Sequence, residues 1–374
     1  METLAPHDLA LTITSYRRPA PPDSYRLDRS ASDDARIKRD ALQLWLLSTD
    51  VKVLVTGGAG FIGSHIAISL LQRGLSVRIL DNFATGRRSN LSAIGDGAEI
   101  VEGDIQSYER VNRAMSGCEV VLHQAALPSV PRSIQDPLTS NATNVIGTLN
   151  VLLAARDSGV RRVVLASSSS VYGSDPTLPK REDAPTLPIS PYATAKLASE
   201  NYARSFHSVY GLETVALRYF NVFGPRQDPT SQYAAVVPRF ASALLTGGQP
   251  VIFGDGEQSR DFTHVANVVN ANILAMDAPA APGRAYNVAY GARVSVNQLA
   301  SEIGAVLGCD VAPTYLASRT GDVPHSLADL SRARDELGYE PSVDLREGLE
   351  NTIAHVRDHE LSEWTALVAG GPGG

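Results

Sequence analysis

From Val51 onward the chain alternates short β-branched runs with stretches of helical spacing, and that alternation constrains its fold more than any other feature. Val51 to Thr56 reads as a strand, Ile62 to Arg73 as a helix, and Ser76 to Leu80 as a second strand ending at Asp81. The rhythm continues with a strand over Glu99 to Glu102, a helix near Tyr108 to Met115, a strand over Val120 to His123 and a long helix across Leu138 to Arg156. Val163 to Ala166 and Thr214 to Arg218 add strands, with a helix from about Tyr192 to Val209 between them. Apolar strands separated by helices are covered on both faces, which predicts an α/β fold with a doubly wound parallel sheet.

After Asn221 the texture changes to Pro- and Gly-rich loops with shorter helices, such as Ser295 to Leu307 and Ser331 to Leu337. This predicts a smaller C-terminal α/β cap over residues 221–360, set on a sheet domain of residues 51–220 that also takes strand and helix contributions from later segments. Ligands in such folds bind beyond the carboxyl ends of the strands, so the crevice between sheet and cap is the expected site. Residues 1–50, polar, charged and Pro-containing, are expected to form an irregular extension, and residues 361–374 a flexible tail.

A chain of 374 residues with 43% hydrophobic residues can bury a sizeable core. Its net charge of −7, with both signs interspersed, offers no basic face to a nucleic acid. No apolar run reaches the roughly 18 residues of a spanning helix, and the N-terminus has no secretory pattern, so no membrane is expected and the cytoplasm is the expected location. Cys118 and Cys309 lack metal-like spacing; both read as reduced core thiols, and no metal site is expected.

Gly57-Gly58-Ala59-Gly60-Phe61-Ile62-Gly63 joins the first strand to the first helix. Glycines at 57, 60 and 63 permit a tight turn, close approach of backbone to a pyrophosphate, and close packing of helix on sheet, with phosphate charge at the helix N-terminus beside Phe61 and Ile62. Asp81, followed by Asn82, ends the second strand roughly 20 residues on, where a carboxylate accepts hydrogen bonds from an adenosine ribose 2′-OH and repels a 2′-phosphate. Arg87 and Arg88 stand nearby, but the carboxylate makes NAD the expected cofactor over NADP. Asp104-Ile105, at the end of the third strand, is placed to receive the adenine. Ala125-Ala126-Leu127, at the end of the fourth, lets the cofactor pass close to backbone. The sheet is therefore expected to be of the Rossmann type.

Ser190-Pro191-Tyr192-Ala193-Thr194-Ala195-Lys196 puts Tyr192 and Lys196 four apart, on one helix face. A free phenol titrates near 10, so a tyrosinate base at neutral pH needs about three units of help, roughly 4 kcal/mol. A nearby ammonium and a cationic nicotinamide both favour the charged form. Taken alone, such a pair is an ordinary solvated face. The glycine turn upstream and the run Ala166-Ser167-Ser168-Ser169-Ser170-Val171-Tyr172-Gly173 give it meaning, because that run closes the fifth strand, where a hydroxyl can steady charge developing on a reacting oxygen.

Together these residues resemble the extended short-chain dehydrogenase/reductase family, and within it the UDP-sugar 4-epimerases. The resemblance covers nearly all of residues 51–345 and rests on GGAGFIG, HQAA, NVIGT, SSSSVYG, SPYATAK, LRYFNVFGP, GDGEQSRDFTHV and TGDVPHSLAD in the family's order. It implies that Ser168 is the catalytic serine, Tyr192 the base, and Lys196 both its partner and a grip on the nicotinamide ribose. The implied mechanism has Tyr192 take the proton of the sugar 4-OH while C4 gives hydride to NAD. The 4-keto sugar then turns over in the site and receives the hydride on its other face, so NAD is regenerated each cycle and is expected to co-purify. Dehydratases of this fold carry an Asp-Glu pair before the VYG, and decarboxylases a Glu. Ser169 and Ser170 stand there in this chain, so elimination and decarboxylation lack their proton-transfer group.

By the same resemblance Asn144 and Phe220 contact the cofactor, Asn221 holds the substrate diphosphate, Arg260 and Arg319 clamp it with planar guanidinium groups, and Asp322 helps hold the nucleotide. Ser168, Ser170 and Tyr192 face the sugar. Members restricted to glucose and galactose carry a Tyr where this chain has Ser326, and a Lys where it has Pro128-Ser129-Val130. A hydroxymethyl in place of a phenol opens room for an acetamido group, which Ser129 is placed to hydrogen-bond. The expected substrates are UDP-N-acetylglucosamine and UDP-N-acetylgalactosamine, with UDP-glucose and UDP-galactose alongside. Alternatives are a UDP-glucose-only or a UDP-glucuronate 4-epimerase and, in another class, a non-catalytic NAD-binding sensor, which has no reason to keep Ser168, Tyr192 and Lys196 together. The helices at Leu138 to Arg156 and Tyr192 to Val209 correspond to those that pair across a homodimer in the family.

Overall fold

The computed structural model of the protein describes residues 51–228, 235–318 and 324–360; the expectations for 1–50, for 361–374 and for Arg319 and Asp322 lie outside the described residues. The first strand and helix are β1 (Lys52–Thr56) and α1 (Phe61–Gln72), followed by β2 (Ser76–Asp81), β3 (Ala98–Glu102), α2 (Tyr108–Met115) and β4 (Val120–His123). Three helices, α3 (Val130–Gln135), α4 (Pro137–Asn141) and α5 (Gly147–Asp157), lead to β5 (Arg162–Ser168), α6 (Pro191–Tyr210) and β6 (Glu213–Tyr219). Beyond Asn221 come α7 (Val236–Leu245), α8 (Val265–Ala275), β7 (Arg284–Val288), α9 (Val296–Leu307), α10 (Ser331–Leu337) and α11 (Leu345–His355), with short two- and three-residue strands between them.

The seven strands form one sheet in the order β7-β6-β5-β4-β1-β2-β3, every pair parallel. All four residues of β4 are buried, as helices on both faces require. The strand order reverses between β1 and β4, which leaves a crevice beyond their carboxyl ends. β7 follows much of the cap sequence and returns to pair with β6, while α8 packs on α1 and β6. A separate core joins α7, α9 and α11 through Phe240, Leu299, Ile303, Leu349 and Ile353, each at most 2% exposed. Each such side chain contributes about 1.5–3 kcal/mol through burial.

The single long helix expected over Leu138 to Arg156 is broken: a π-turn at Ala142–Ile146 separates α4 from α5. Its cause is Asn144, whose amide grips both the N–H and the carbonyl of Leu127, at 2.8 and 3.0 Å. Its own carbonyl takes the hydroxyls of Thr148 and Ser199, at 2.7 and 2.9 Å. Such widened turns recur at functional sites. Cys118 is buried as expected, but Cys309 is exposed, because it lies just past the left-handed Gly308 that ends α9. Among the described residues no helix is long and apolar enough to cross a membrane, and no cluster of three or more His, Cys, Asp or Glu is placed to hold a metal ion.

Candidate active site

The glycine turn lies against the end of β4. Gly57 has φ 68°, and a Cβ there would fall 2.6 Å from the amide nitrogen of Ala125; one on Gly63 would fall 2.1 Å from the Gly57 carbonyl oxygen. Only bare backbone fits at either place. α1 begins at Gly60 with no side chain capping it, so its first N–H groups are left for an anion. Gly57, Gly60, Phe61, Ile62 and Gly63 line one end of a cleft of 1580 Å³ that continues past Ala125 and Ala126 to Tyr192 and Arg260. That volume exceeds the ~300–1,000 Å³ of an ordinary small-molecule pocket and fits a dinucleotide beside a second ligand.

Asp81, 7% exposed, lines the same end. Its Oδ2 accepts the Ala59 N–H at 2.9 Å and its Oδ1 the Phe83 N–H at 2.8 Å. Burial pushes its carboxyl up, and these two bonds oppose the rise. Each oxygen keeps a second lone pair for a ribose hydroxyl. Arg87 is paired with Asp228, and Arg88 with Glu102 at 2.6 Å, so both nearby guanidinium groups already have carboxylates. Asn82 donates to Asp104 at 2.9 Å, and with Ile105 these two line the cleft beyond Asp81.

At the other end of the cleft, Ser190 caps α6 by accepting the Ala193 N–H at 3.2 Å, with Pro191 in the first turn. Tyr192 and Lys196 both line the cleft. The Lys196 ammonium donates to the Ala166 carbonyl at 2.9 Å and stands 5.9 Å from the centre of the Tyr192 ring. Ser168, the last residue of β5, is hydrogen-bonded to Tyr192. Burial pushes the Tyr192 phenol up to about 12, with the Ser168 bond acting the other way. Burial pulls Lys196 down to about 8, with the charge of Glu200 opposing it. Ser170 also lines the cleft, and its buried hydroxyl has no hydrogen-bond partner among the described residues.

On the far side, Asn221, Arg260 and Ser326 line the cleft. Arg260 donates to the carbonyls of Ser259 and Pro324 at 3.0 and 3.1 Å, and the Ser326 N–H donates to the Ser259 carbonyl at 3.0 Å. Ser129, with φ 107°, lies in the wall opposite and caps α3 by accepting the Arg132 N–H at 3.2 Å. Asn221 also has positive φ, at 30°. Backbone held in sparsely populated regions gathers at ligand sites.

Two expected cofactor contacts do not reach the cleft. Phe220 is fully buried beneath it, its ring 6.2 Å from that of Tyr172, and Asn144 is spent on Leu127. Sequence reasoning also missed two organising residues. Ser133 accepts the backbone N–H of Tyr192 at 3.0 Å and donates to the Val130 carbonyl at 2.7 Å. Asp261, fully buried, accepts the N–H groups of Tyr290, Gly291 and Ala328, at 3.1, 3.1 and 3.2 Å, and so anchors the segment that carries Ser326. Ser133 gives no sequence signal, and Asp261, set among the polar residues Gln258, Ser259, Arg260 and Thr263, gives none either.

Known proteins match this architecture. The model of the NAD dependent epimerase/dehydratase family fits residues 53–289. A UDP-glucose 4-epimerase of Mycolicibacterium smegmatis is 41% identical over 312 residues, 82% of this chain and 99% of the relative. Among solved structures, the UDP-N-acetylglucosamine 4-epimerase of Methanobrevibacter ruminantium, in complex with UDP-N-acetylmuramic acid, is 42% identical with a TM-score of 0.79, covering 83% of this chain and 99% of that one. The UDP-glucose 4-epimerase of Thermotoga maritima, with UDP-glucose, is 39% identical with a TM-score of 0.79, covering 82% and 99%. On this evidence the chain belongs to the NAD dependent epimerase/dehydratase family.

Proposed function

We propose that this enzyme epimerises UDP-sugars at C4, with Tyr192 as the base, Ser168 as the hydrogen-bonding hydroxyl and Lys196 as the neighbouring charge. The observation that carries the reading is the convergence of these three side chains at the end of β5, in a stretch of cleft without an acid. Among the described residues the carboxylates lining the cleft are Asp81, Asp104 and Asp228. Asp81 and Asp104 sit at the adenosine end, and Asp228 is paired with Arg87. Elimination and decarboxylation need a proton-transfer group beside the sugar that these positions do not supply.

Gly57, Gly60 and Gly63 would cradle the pyrophosphate of NAD and Asp81 its ribose, and the bound cofactor would supply reversible hydride acceptance from C4. The protein's own work is proton handling and orientation. Tyr192 takes the 4-OH proton, and Ser168 donates to the same oxygen as its charge develops. Lys196 remains cationic at neutral pH and favours the tyrosinate. As hydride is returned to the other face of C4, Tyr192 gives its proton back to the O4 oxygen, and the 4-OH of the opposite epimer forms.

Ser326 in the sugar wall supports acceptance of a 2-acetamido group, and hence UDP-N-acetylglucosamine and UDP-N-acetylgalactosamine, with UDP-glucose and UDP-galactose as further substrates. The relatives from Mycolicibacterium smegmatis and Thermotoga maritima favour the second reading, a UDP-glucose enzyme. Purified protein incubated with UDP-glucose, UDP-N-acetylglucosamine and UDP-glucuronate, with products separated chromatographically, distinguishes them. Ser326→Tyr is expected to lose turnover of the N-acetylated pair by about tenfold or more and to keep UDP-glucose, since a ring closes the space that one hydroxymethyl leaves. Unchanged turnover of the N-acetylated sugars rejects Ser326 as the determinant.

A homodimer belongs to the same proposal. Leu138 and Val209 are 81% and 70% exposed on neighbouring helices α4 and α6, and Tyr202, Tyr210 and Ile146 add exposed apolar surface.

A further inference from the structure

One turn beyond Lys196, α6 buries a second charged side chain. Glu200 is 8% exposed and pairs with Arg218 of β6, itself 5% exposed. Arg218 Nε donates to Glu200 Oε1 at 3.0 Å, and Nη2 to Oε2 at 2.8 Å. Oε1 also accepts the hydroxyl of Ser167. From Arg218 the network runs to the Tyr172 hydroxyl at 3.0 Å, which in turn donates to Asn287 of β7 at 2.6 Å. A buried ion pair adds little stability on its own, because desolvation cancels most of the attraction. What distinguishes this one is the strand end it grips.

Successive residues of a strand face opposite sides. Ser168 therefore meets Tyr192 in the cleft, while Ser167 turns back to Glu200. The preceding carbonyl, that of Ala166, accepts the Lys196 ammonium. Glu200 thus holds the segment that carries both Ser168 and the acceptor of Lys196, and it stands within Coulombic reach of Lys196 itself. We propose that Glu200 is a positioning residue, whose carboxylate keeps the Lys196 ammonium charged and the end of β5 fixed without touching a ligand. The proposal rests on the reading of Tyr192 and Lys196 as the reacting pair.

The groups facing Lys196 can be named. Tyr192 and Glu200 lie on its own helix, His123 on β4, and the Ala166 carbonyl on β5; Arg218 of β6 stands behind Glu200. Burial, with the Lys196 charge, holds His123 at about 3, so its ring is neutral. Among these described groups Glu200 is the one carboxylate.

The test follows the titration of Lys196 by NMR in NAD-loaded, full-length protein with lysine labelled by ¹⁵N at Nζ, alongside kcat, KM and the pH profile of UDP-sugar turnover. Glu200→Gln is expected to lower the Lys196 midpoint by about one unit, a tenfold loss of proton affinity. The alkaline limb of kcat should move down with it, while KM stays within about twofold, because the loss falls on the chemical step and not on binding. Arg218→Gln breaks the same ion pair but leaves the carboxylate wholly to Lys196, so its midpoint holds or rises. If Glu200→Gln fails to retain NAD, the double variant Glu200→Gln/Arg218→Gln, which also removes the guanidinium that the single change leaves without its carboxylate, takes its place with the same expected fall. Equal downward shifts in both single variants, or an unmoved midpoint in the folded, NAD-loaded Glu200→Gln or double variant, overturn the proposal. A wild-type protein that turns over no UDP-sugar overturns the assigned activity instead, and the NMR measurement, which needs no turnover, still decides the role of Glu200.

Discussion

Burial by the protein carries the Tyr192 phenol up to about 12, so a tyrosinate at pH 7 requires about five units of compensation, roughly 7 kcal/mol, from positive charge gathered around it. In the proposed mechanism the Lys196 ammonium and, when bound, the nicotinamide ring would be the sources of that charge. Lys196, lowered to about 8, keeps its ammonium below that pH and loses it above. Turnover should therefore fall as pH rises through about 8, read from kcat against pH at saturating substrate; a flat profile to about pH 10, the ordinary lysine range, would remove Lys196 from the account. Tyr192→Phe should lower kcat by about 10²–10⁴-fold with the fold and bound NAD intact. The pair was legible in the sequence because a four-residue helical spacing survives folding. Ser133 was not, because a hydroxyl that holds a backbone N–H 59 positions away leaves no periodic trace.

At the scale of elements, the site is a set of strand ends and helix starts brought to one edge of the sheet. β1 to β6 and the helices α1, α2 and α6 follow the apolar spacing of the sequence closely; the central strands are buried on both faces and have few alternatives, while edge strand β3 keeps Glu99 and Ile100 exposed. Two features did not show there. β7 is a short run between loops whose pairing with β6 is wholly non-local, and the π-turn at Ala142–Ile146 arises from a tertiary grip on Leu127. The glycine turn tolerates little change. A methyl at Gly63 would lie 2.1 Å from the Gly57 carbonyl oxygen, so Gly63→Ala must push helix from strand and should cost several kcal/mol, above the ~1–3 kcal/mol usual for overpacking. Thermal unfolding and NAD content of the purified variant check this; unchanged NAD content would mean that the turn yields more easily than its packing implies.

For the whole molecule, the parallel sheet and the separate core of α7, α9 and α11 place Asp81, Ser168 and Ser326 along one cleft. The cleft was legible as a crevice at the strand ends; its far wall, at Arg260 and Ser326, was less so, because Asp261 assembles it from segments far apart in sequence. The exposed apolar face of α4 and α6 is the expected dimer contact. Val209→Glu together with Leu138→Glu should weaken self-association by about 100-fold or more, as burying two unpaired charges demands, measured by sedimentation velocity over a concentration series; an unaffected dimer would place the interface elsewhere. In the proposed reaction hydride leaves C4 and returns to the same carbon. Incubation of the purified enzyme with a UDP-sugar deuterated at C4, followed by NMR and mass spectrometry of the product, follows that hydride. The expected product is the C4 epimer with deuterium retained at C4 and no change in mass; loss of the label, or a dehydrated or decarboxylated product, rules out epimerisation by this route.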